Sequence, residues 1–188
     1  MAFTASDLNR AVSGAGDMLS PEFLYSSAGT LTPGWTPGMG LYAWAAMDAI
    51  HAIGQPFEVD YPYKASDPAT AATPTAPAGK PMFTSDLAGH SSSMQSIVDR
   101  LNDGHPVGLV IRVTDTLYTP VGGVVDASGG IVQGFYHAVL ATGWGESKAT
   151  GRHLRIRNSW GPMWGELGYA WLPEKFVDLH VLEAFGSK

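Results

Sequence analysis

Phe135-Tyr-His-Ala-Val-Leu-Ala-Thr-Gly-Trp-Gly145, followed by Arg157-Asn-Ser-Trp-Gly161 and Trp164-Gly-Glu-Leu-Gly-Tyr169, is the stretch whose reading decides the fold. On a strand, side chains alternate between two faces, so His137 shares a face with Val139 and Ala141. Leu154, Ile156 and Asn158 alternate in the same way on a returning strand, and 145–153 reads as the hairpin between the two. One sheet face therefore carries an imidazole on one strand and a side-chain amide on the next. An amide held at one ring nitrogen fixes the tautomer and orientation of a histidine, and leaves its other nitrogen for chemistry.

Reading outward, the pattern turns helical toward the N-terminus. Ser20 and Pro21 open Leu19-Ser-Pro-Glu-Phe-Leu24 as N-cap and first helical residue. The stretch from Gly38 to Gly54 reads as a helix with Leu41, Trp44, Ala45 and Asp48 on one stripe and Gly54 as its stop. Met94, Ile97, Val98 and Leu101 recur at helical spacing behind Ser93, and Pro106 to Val113 follows as a buried strand. Ala5, Leu8 and Val12 make a third helical stripe, ended by Gly14 and Gly16. The stretch 64–81, rich in Ala, Thr and Pro, predicts an exposed crossing, and 121–130 a glycine-rich hairpin or loop.

Bulk properties bound the function. A chain of 188 residues with 45% hydrophobic content has material for one sizeable core or two small lobes. The net charge of −6 argues against nucleic acid or an anionic membrane as partner, since both demand clustered Lys and Arg. No apolar run approaches the roughly 20 residues of a membrane span, and no signal peptide is visible, so the location is left open between the cytoplasm and delivery by an assembly. His51, His90, His105, His153 and His180 are scattered, which predicts no metal site, and nothing predicts a cofactor. Dispersed carboxylates speak against a two-acid hydrolase.

The His-Ala-Val, Asn-Ser-Trp-Gly and Trp-Gly-x-x-Gly-Tyr blocks, in this order, resemble the catalytic His and Asn blocks of papain-like cysteine peptidases. The segment Asp60-Tyr-Pro-Tyr63 matches that family's Tyr-Pro-Tyr turn, and the tail from Tyr169 to Val177 resembles bacterial members. This implies an α+β papain-like two-lobe fold: a helical lobe over 1–85, an antiparallel β-barrel-like lobe over 86–188, and a cleft between them. It implies His137 and Asn158 as catalytic residues, with Trp160 shielding their contact from water. It also implies that an extended peptide pairs with Gly40 and Leu41, beside Tyr42, as an added strand. Leu41 stands where the family usually has a second glycine, which leaves backbone pairing intact and narrows the room for a substrate side chain.

One departure outweighs the rest: the chain contains no cysteine. In the family a thiolate is the nucleophile, and histidine alone does not replace it. On the register that the resemblance favours, the nucleophile stands immediately before Met1, and the oxyanion-hole Gln lies further upstream. A rival register aligns Tyr42-Ala-Trp-Ala45 with the family's Ser-Cys-Trp-Ala and puts Ala43 in the nucleophile's place; a third puts Met1 there, and a thioether forms no thiolate. Three functions stay open. The chain is a pseudopeptidase or peptidase fragment with a peptide-binding or structural role; an active cysteine peptidase once an upstream segment or partner supplies Cys and Gln; or a structural subunit of a larger assembly. The missing segment is also expected to leave Ala2, Phe3 and Leu8 facing water, so that Met1 to Val12 is either covered by a partner chain or second copy or else disordered.

Overall fold

The computed structural model describes residues 1–64 and 74–188. The Ala/Thr/Pro-rich crossing expected over 64–81 lies in large part outside the described residues. The chain divides into two units, Met1–Ala88 with Ser187–Lys188, and Gly89–Gly186.

The first unit is helical: α1 (Ala2–Ser13), α2 (Pro21–Leu31) and α3 (Ala43–Ala52). Local chemistry sets the ends. The Ser20 hydroxyl accepts the Phe23 N–H at 3.1 Å and Pro21 begins α2, as the sequence predicts. Gly14, at φ 71, closes α1 by giving its N–H to Arg10 O. A buried polar network ties these pieces together. Gln55 Nε2 donates to Ser6 Oγ at 2.7 Å and to Ser20 O at 2.9 Å, and Gln55 Oε1 accepts from Asn9 Nδ2 at 2.9 Å. Gln55 and Asn9 are both fully buried, and each unpaired group there would cost about 1–3 kcal/mol, so the network fixes how α1 meets the chain around α2 and α3.

Two expectations fail in this unit. The buried face of α3 is Ala43, Ala45, Ala46, Ala49 and Ile50, whereas Trp44 and Asp48 face outward. Most of α3 is apolar, so several stripes fit its sequence; the one that prevails buries the smallest side chains, which allow close approach of helices, and Trp44 stacks on Tyr42 at 6.1 Å instead. Ala2 and Leu8, expected to face water, are buried, since α1 packs on α2 and α3; Phe3 alone of the three remains exposed, edge-on to Tyr63.

The second unit is built on a six-stranded sheet in the order β1-β6-β2-β3-β4-β5. The strands are β1 (Leu87–His90), entering from the first unit, β2 (Val107–Thr114), β3 (Ile131–Ser147), β4 (Gly151–Arg157), β5 (Tyr169–Pro173) and β6 (Val181–Ser187). The pairings of β2 with β3 and β6, of β3 with β4 and of β4 with β5 are antiparallel. Helices α4 (Met94–Asn102), α5 (Asp115–Tyr118) and α6 (Glu174–His180) complete it. Leu109 and Ile111 of β2, Val139 and Ala141 of β3, Leu154 and Ile156 of β4 and Leu172 of β5 form one core with Ile97 and Val98 of α4 and Phe176 of α6. The period-2 reading of β3 and β4 thus selects the core face.

The β-barrel-like closure does not occur: β1 and β5 lie at opposite ends of an open sheet. Edge strands need covering, and here a loop does what closure would have done. Val125 N–H bonds Trp171 O at 3.0 Å and Trp171 N–H bonds Gly123 O at 2.8 Å, so the glycine-rich stretch lies along the outer edge of β5.

Candidate functional site

His137 sits on β3 opposite Ile111 of β2, one alternation beyond the buried Val139. An extra residue on β3, between Ala141 and Gly143, shifts the register with β4, whose last paired residue is Arg157, opposite Leu140. Asn158 leaves the strand at once, held by its N–H to Gly168 O at 2.9 Å, and returns its side chain toward the histidine.

His137 Nε2 and Asn158 Oδ1 are 2.7 Å apart. Asn158 Oδ1 also accepts the Ser159 backbone N–H at 2.8 Å, which identifies that atom as the carbonyl oxygen. An oxygen only accepts, so Nε2 carries the proton. The lone pair of the neutral ring is therefore on Nδ1, which makes no hydrogen bond among the described residues. Burial lowers the His137 pKa from its ordinary 6.5, and the bond to Asn158 offsets part of that shift, so the ring is neutral at pH 7. A neutral, tautomer-locked imidazole with a free Nδ1 is a proton acceptor for whatever stands before it.

The Trp160 ring packs against His137, its centroid 4.7 Å away. Asn158 is 7% exposed, and its Nδ2 is buried without a hydrogen-bond partner among the described residues. The loop behind it needs its glycines. A Cβ at Gly165, φ 55, would meet Tyr169 O at 2.2 Å, and Gly168, φ 87, supplies the carbonyl that holds Asn158. The Trp164 indole N–H bonds Leu117 O at 2.8 Å, pinning this loop to α5.

Gly40, Leu41, Tyr42 and Ala43 lie together in the first unit. The loop leading to them is anchored by the Tyr25 hydroxyl, which donates to Met39 O at 2.8 Å and accepts from Gly38 N–H at 3.0 Å. Gly40 has open space where a Cβ would stand, Leu41 is partly buried and Tyr42 is exposed. Among the described residues Gly40 and Leu41 make no hydrogen bond, so a short stretch of backbone is available for pairing. Ala43 is the buried first residue of α3, with a methyl where the rival register asks for a thiol.

The structure thus brings His137, Asn158 and Trp160 together, and Gly40 to Ala43 together. Sequence reasoning missed Tyr118, which stacks on Trp160 with centroids 5.4 Å apart and planes 8° from parallel. Only an aromatic residue soon after β2 marked it in the sequence. Among the described residues no group of three metal-ligating side chains occurs, and no helix is long and apolar enough to cross a membrane.

Set beside known proteins, residues 19–179 match the sequence profile of the papain family cysteine proteases. The chain belongs to that family. It is 37% identical to cysteine protease XCP2 of Arabidopsis thaliana over 36% of this chain and 20% of that protein. In fold it resembles xylellain, a cysteine protease from Xylella fastidiosa, with TM-score 0.77 and 18% identity, over 100% of this chain and 80% of that one. It also resembles the digestive procathepsin L 3 of Tenebrio molitor, with TM-score 0.72 and 22% identity, over 97% and 63%. The fold is therefore papain-like α+β. The chain spans only about a fifth of the length of XCP2, and unlike a member that works by a thiolate it contains no cysteine.

Proposed function

We propose that this chain is a papain-like body that binds extended peptide without cleaving it, with His137 and Asn158 as the surviving pair of a catalytic site. The observation that carries the reading is the oriented, neutral His137 with a free Nδ1 in a chain without a thiol. Among the described residues no Ser or Thr hydroxyl is hydrogen-bonded to His137, so the base has no nucleophile of this chain placed to receive its action. The backbone at Gly40 and Leu41, unpaired among the described residues, supports peptide binding by strand addition, and the exposed Tyr42 beside it offers aromatic surface to a flanking side chain.

A second reading has its own support. Asn158 spends a buried amide on one histidine tautomer, the tautomer that a nucleophile in front of Nδ1 requires. A polypeptide segment outside these residues that carries Cys and an oxyanion-stabilising Gln would then complete a cysteine peptidase. A purely structural subunit role calls for neither observation. Calorimetric titration with extended peptides separates the readings. Binding that weakens on Gly40→Pro, without product in the cell, supports the first. Peptide cleavage on adding a Cys-bearing segment supports the second, and absence of both leaves the structural role.

A further inference from the structure

We propose that Met39 is an oxidation site for hydroperoxides, and that its sulfoxide unfastens the turn that presents Gly40 and Leu41. The modification and the turn belong to the first unit alone; the consequence for peptide rests on the strand addition proposed above.

Three observations carry it. First, residues 36–39 form a tight turn: Met39 N–H bonds Thr36 O at 3.1 Å, with Pro37 and Gly38, the latter at φ 92, in the two central places. Proline sets the first φ and glycine supplies the positive second one, the pattern of a type II turn. Second, the Met39 side chain closes the same turn from its other end. Its Sδ accepts the Thr36 backbone N–H at 3.3 Å, and among the described residues no other methionine sulfur accepts a hydrogen bond. Third, Met39 is 49% exposed, so a solute reaches a side chain that is holding backbone. Loss of the sulfur contact leaves the Tyr25 hydroxyl to hold the turn, through Gly38 N–H at 3.0 Å and Met39 O at 2.8 Å. Gly40 and Leu41 follow directly, with no hydrogen bond of their own among the described residues to keep them in place.

The chemistry needs only the thioether and a hydroperoxide. A sulfur lone pair attacks the outer peroxide oxygen, the S–O bond forms and the O–O bond breaks. The hydroxyl proton passes to the departing oxygen, which leaves as alcohol or water. Sulfur is oxidised by two electrons and the peroxide is reduced by two. An oxygen added on the lone pair that faces Thr36 stands in the 3.3 Å gap between nitrogen and sulfur and forces them apart. An oxygen added on the other lone pair leaves a positively polarised sulfur, which no longer attracts an N–H. Both epimers therefore end the contact, and the thioether has become a polar group drawn to water.

Hydrogen peroxide on the purified chain is the test, with peptide mapping by mass spectrometry. Met39 should convert to sulfoxide in step with the exposed Met18 and Met163, while Met94, 2% exposed, stays intact. Exchange of the Thr36 amide, followed by NMR, should then quicken about two- to tenfold, the worth of one hydrogen bond, and recover on treatment with the two methionine sulfoxide reductases. Met39→Leu should exchange as the oxidised chain does, with or without peroxide, and Met163→Leu should keep the whole response. Met39 left intact while Met18 and Met163 are oxidised, or full conversion of Met39 with Thr36 exchange unchanged, overturns the proposal. Calorimetric titration with a Val- and Thr-rich peptide reads the consequence. Affinity that falls about two- to tenfold on oxidation of the wild type, and does not change on peroxide treatment of Met39→Leu, supports it; equal affinity before and after overturns it. A chain that binds no such peptide in either state defeats the strand-addition reading, while the Thr36 exchange still decides whether Met39 fastens the turn.

Discussion

Replacing Asn158 by alanine removes the one partner that fixes the His137 tautomer, and the structure allows the cost to be worked out. The substitution deletes the acceptor of the 2.7 Å bond from Nε2–H and of the 2.8 Å bond from the Ser159 N–H. Ser159 is exposed, so its N–H turns to water, whereas the ring N–H beneath Trp160 loses its partner in a partly buried place. Leaving such a donor unsatisfied costs about 1–3 kcal/mol. Against that stands the Asn158 Nδ2, buried without a partner, whose removal returns part of the sum. The net expectation is a loss of about 1–2 kcal/mol, read as a lower denaturant midpoint at unchanged slope. The tautomer is the sharper readout. Nitrogen NMR of the ring should show Nε2 protonated in the wild type at neutral pH and a mixture of both tautomers in Asn158→Ala. An unchanged midpoint together with an unchanged tautomer would refute the reasoning, because the amide would then be holding nothing.

Other expectations follow from the same geometry. The folded His137 pKa lies below its ordinary 6.5 because burial disfavours the charged ring, so the unfolded chain binds the proton more readily. The contribution is intact above pH 6.5 and is lost as pH falls through the lower folded value; denaturant titrations of wild type and His137→Gln should diverge below pH 6.5, and parallel curves would contradict it. Gly165→Ala should destabilise by more than about 1 kcal/mol, since the new Cβ falls on Tyr169 O at positive φ, whereas Leu167→Gly, at φ 55 with its side chain in solvent, should stabilise by about 1 kcal/mol. Equal thermal shifts of the same sign for both would show that the loop conformation is not what constrains these positions.

What the sequence showed and what it hid divide along a physical line. The face shared by His137, Val139 and Ala141, the cap at Ser20 and the spacing of Met94, Ile97 and Val98 were readable because each rests on local periodicity or on one side chain bonding its own backbone. The stripe on α3 was misread because nearly every position in it is apolar, so the choice of face fell to tertiary packing. Sheet closure was equally beyond local reading: whether β5 pairs with another strand or with the loop around Gly123 depends on long-range register. The Asn9–Gln55 bond joins residues 46 positions apart, and Tyr118 meets Trp160 only because Trp164 anchors its loop to Leu117. In the candidate site the histidine was legible through alternation, whereas the asparagine, which lies just past the end of β4, and the aromatic stack beside it were not.

His137 is oriented by Asn158 and has no thiol of this chain to act on. The most direct measurement is turnover of extended fluorogenic peptides by the purified chain, alongside labelling with a thiol-directed epoxide. We predict neither cleavage nor labelling, because neutral His137 has no nucleophile of thiol acidity to deprotonate. Peptide turnover that disappears on His137→Ala would contradict the claim and point to a Ser or Thr nucleophile acting with that histidine.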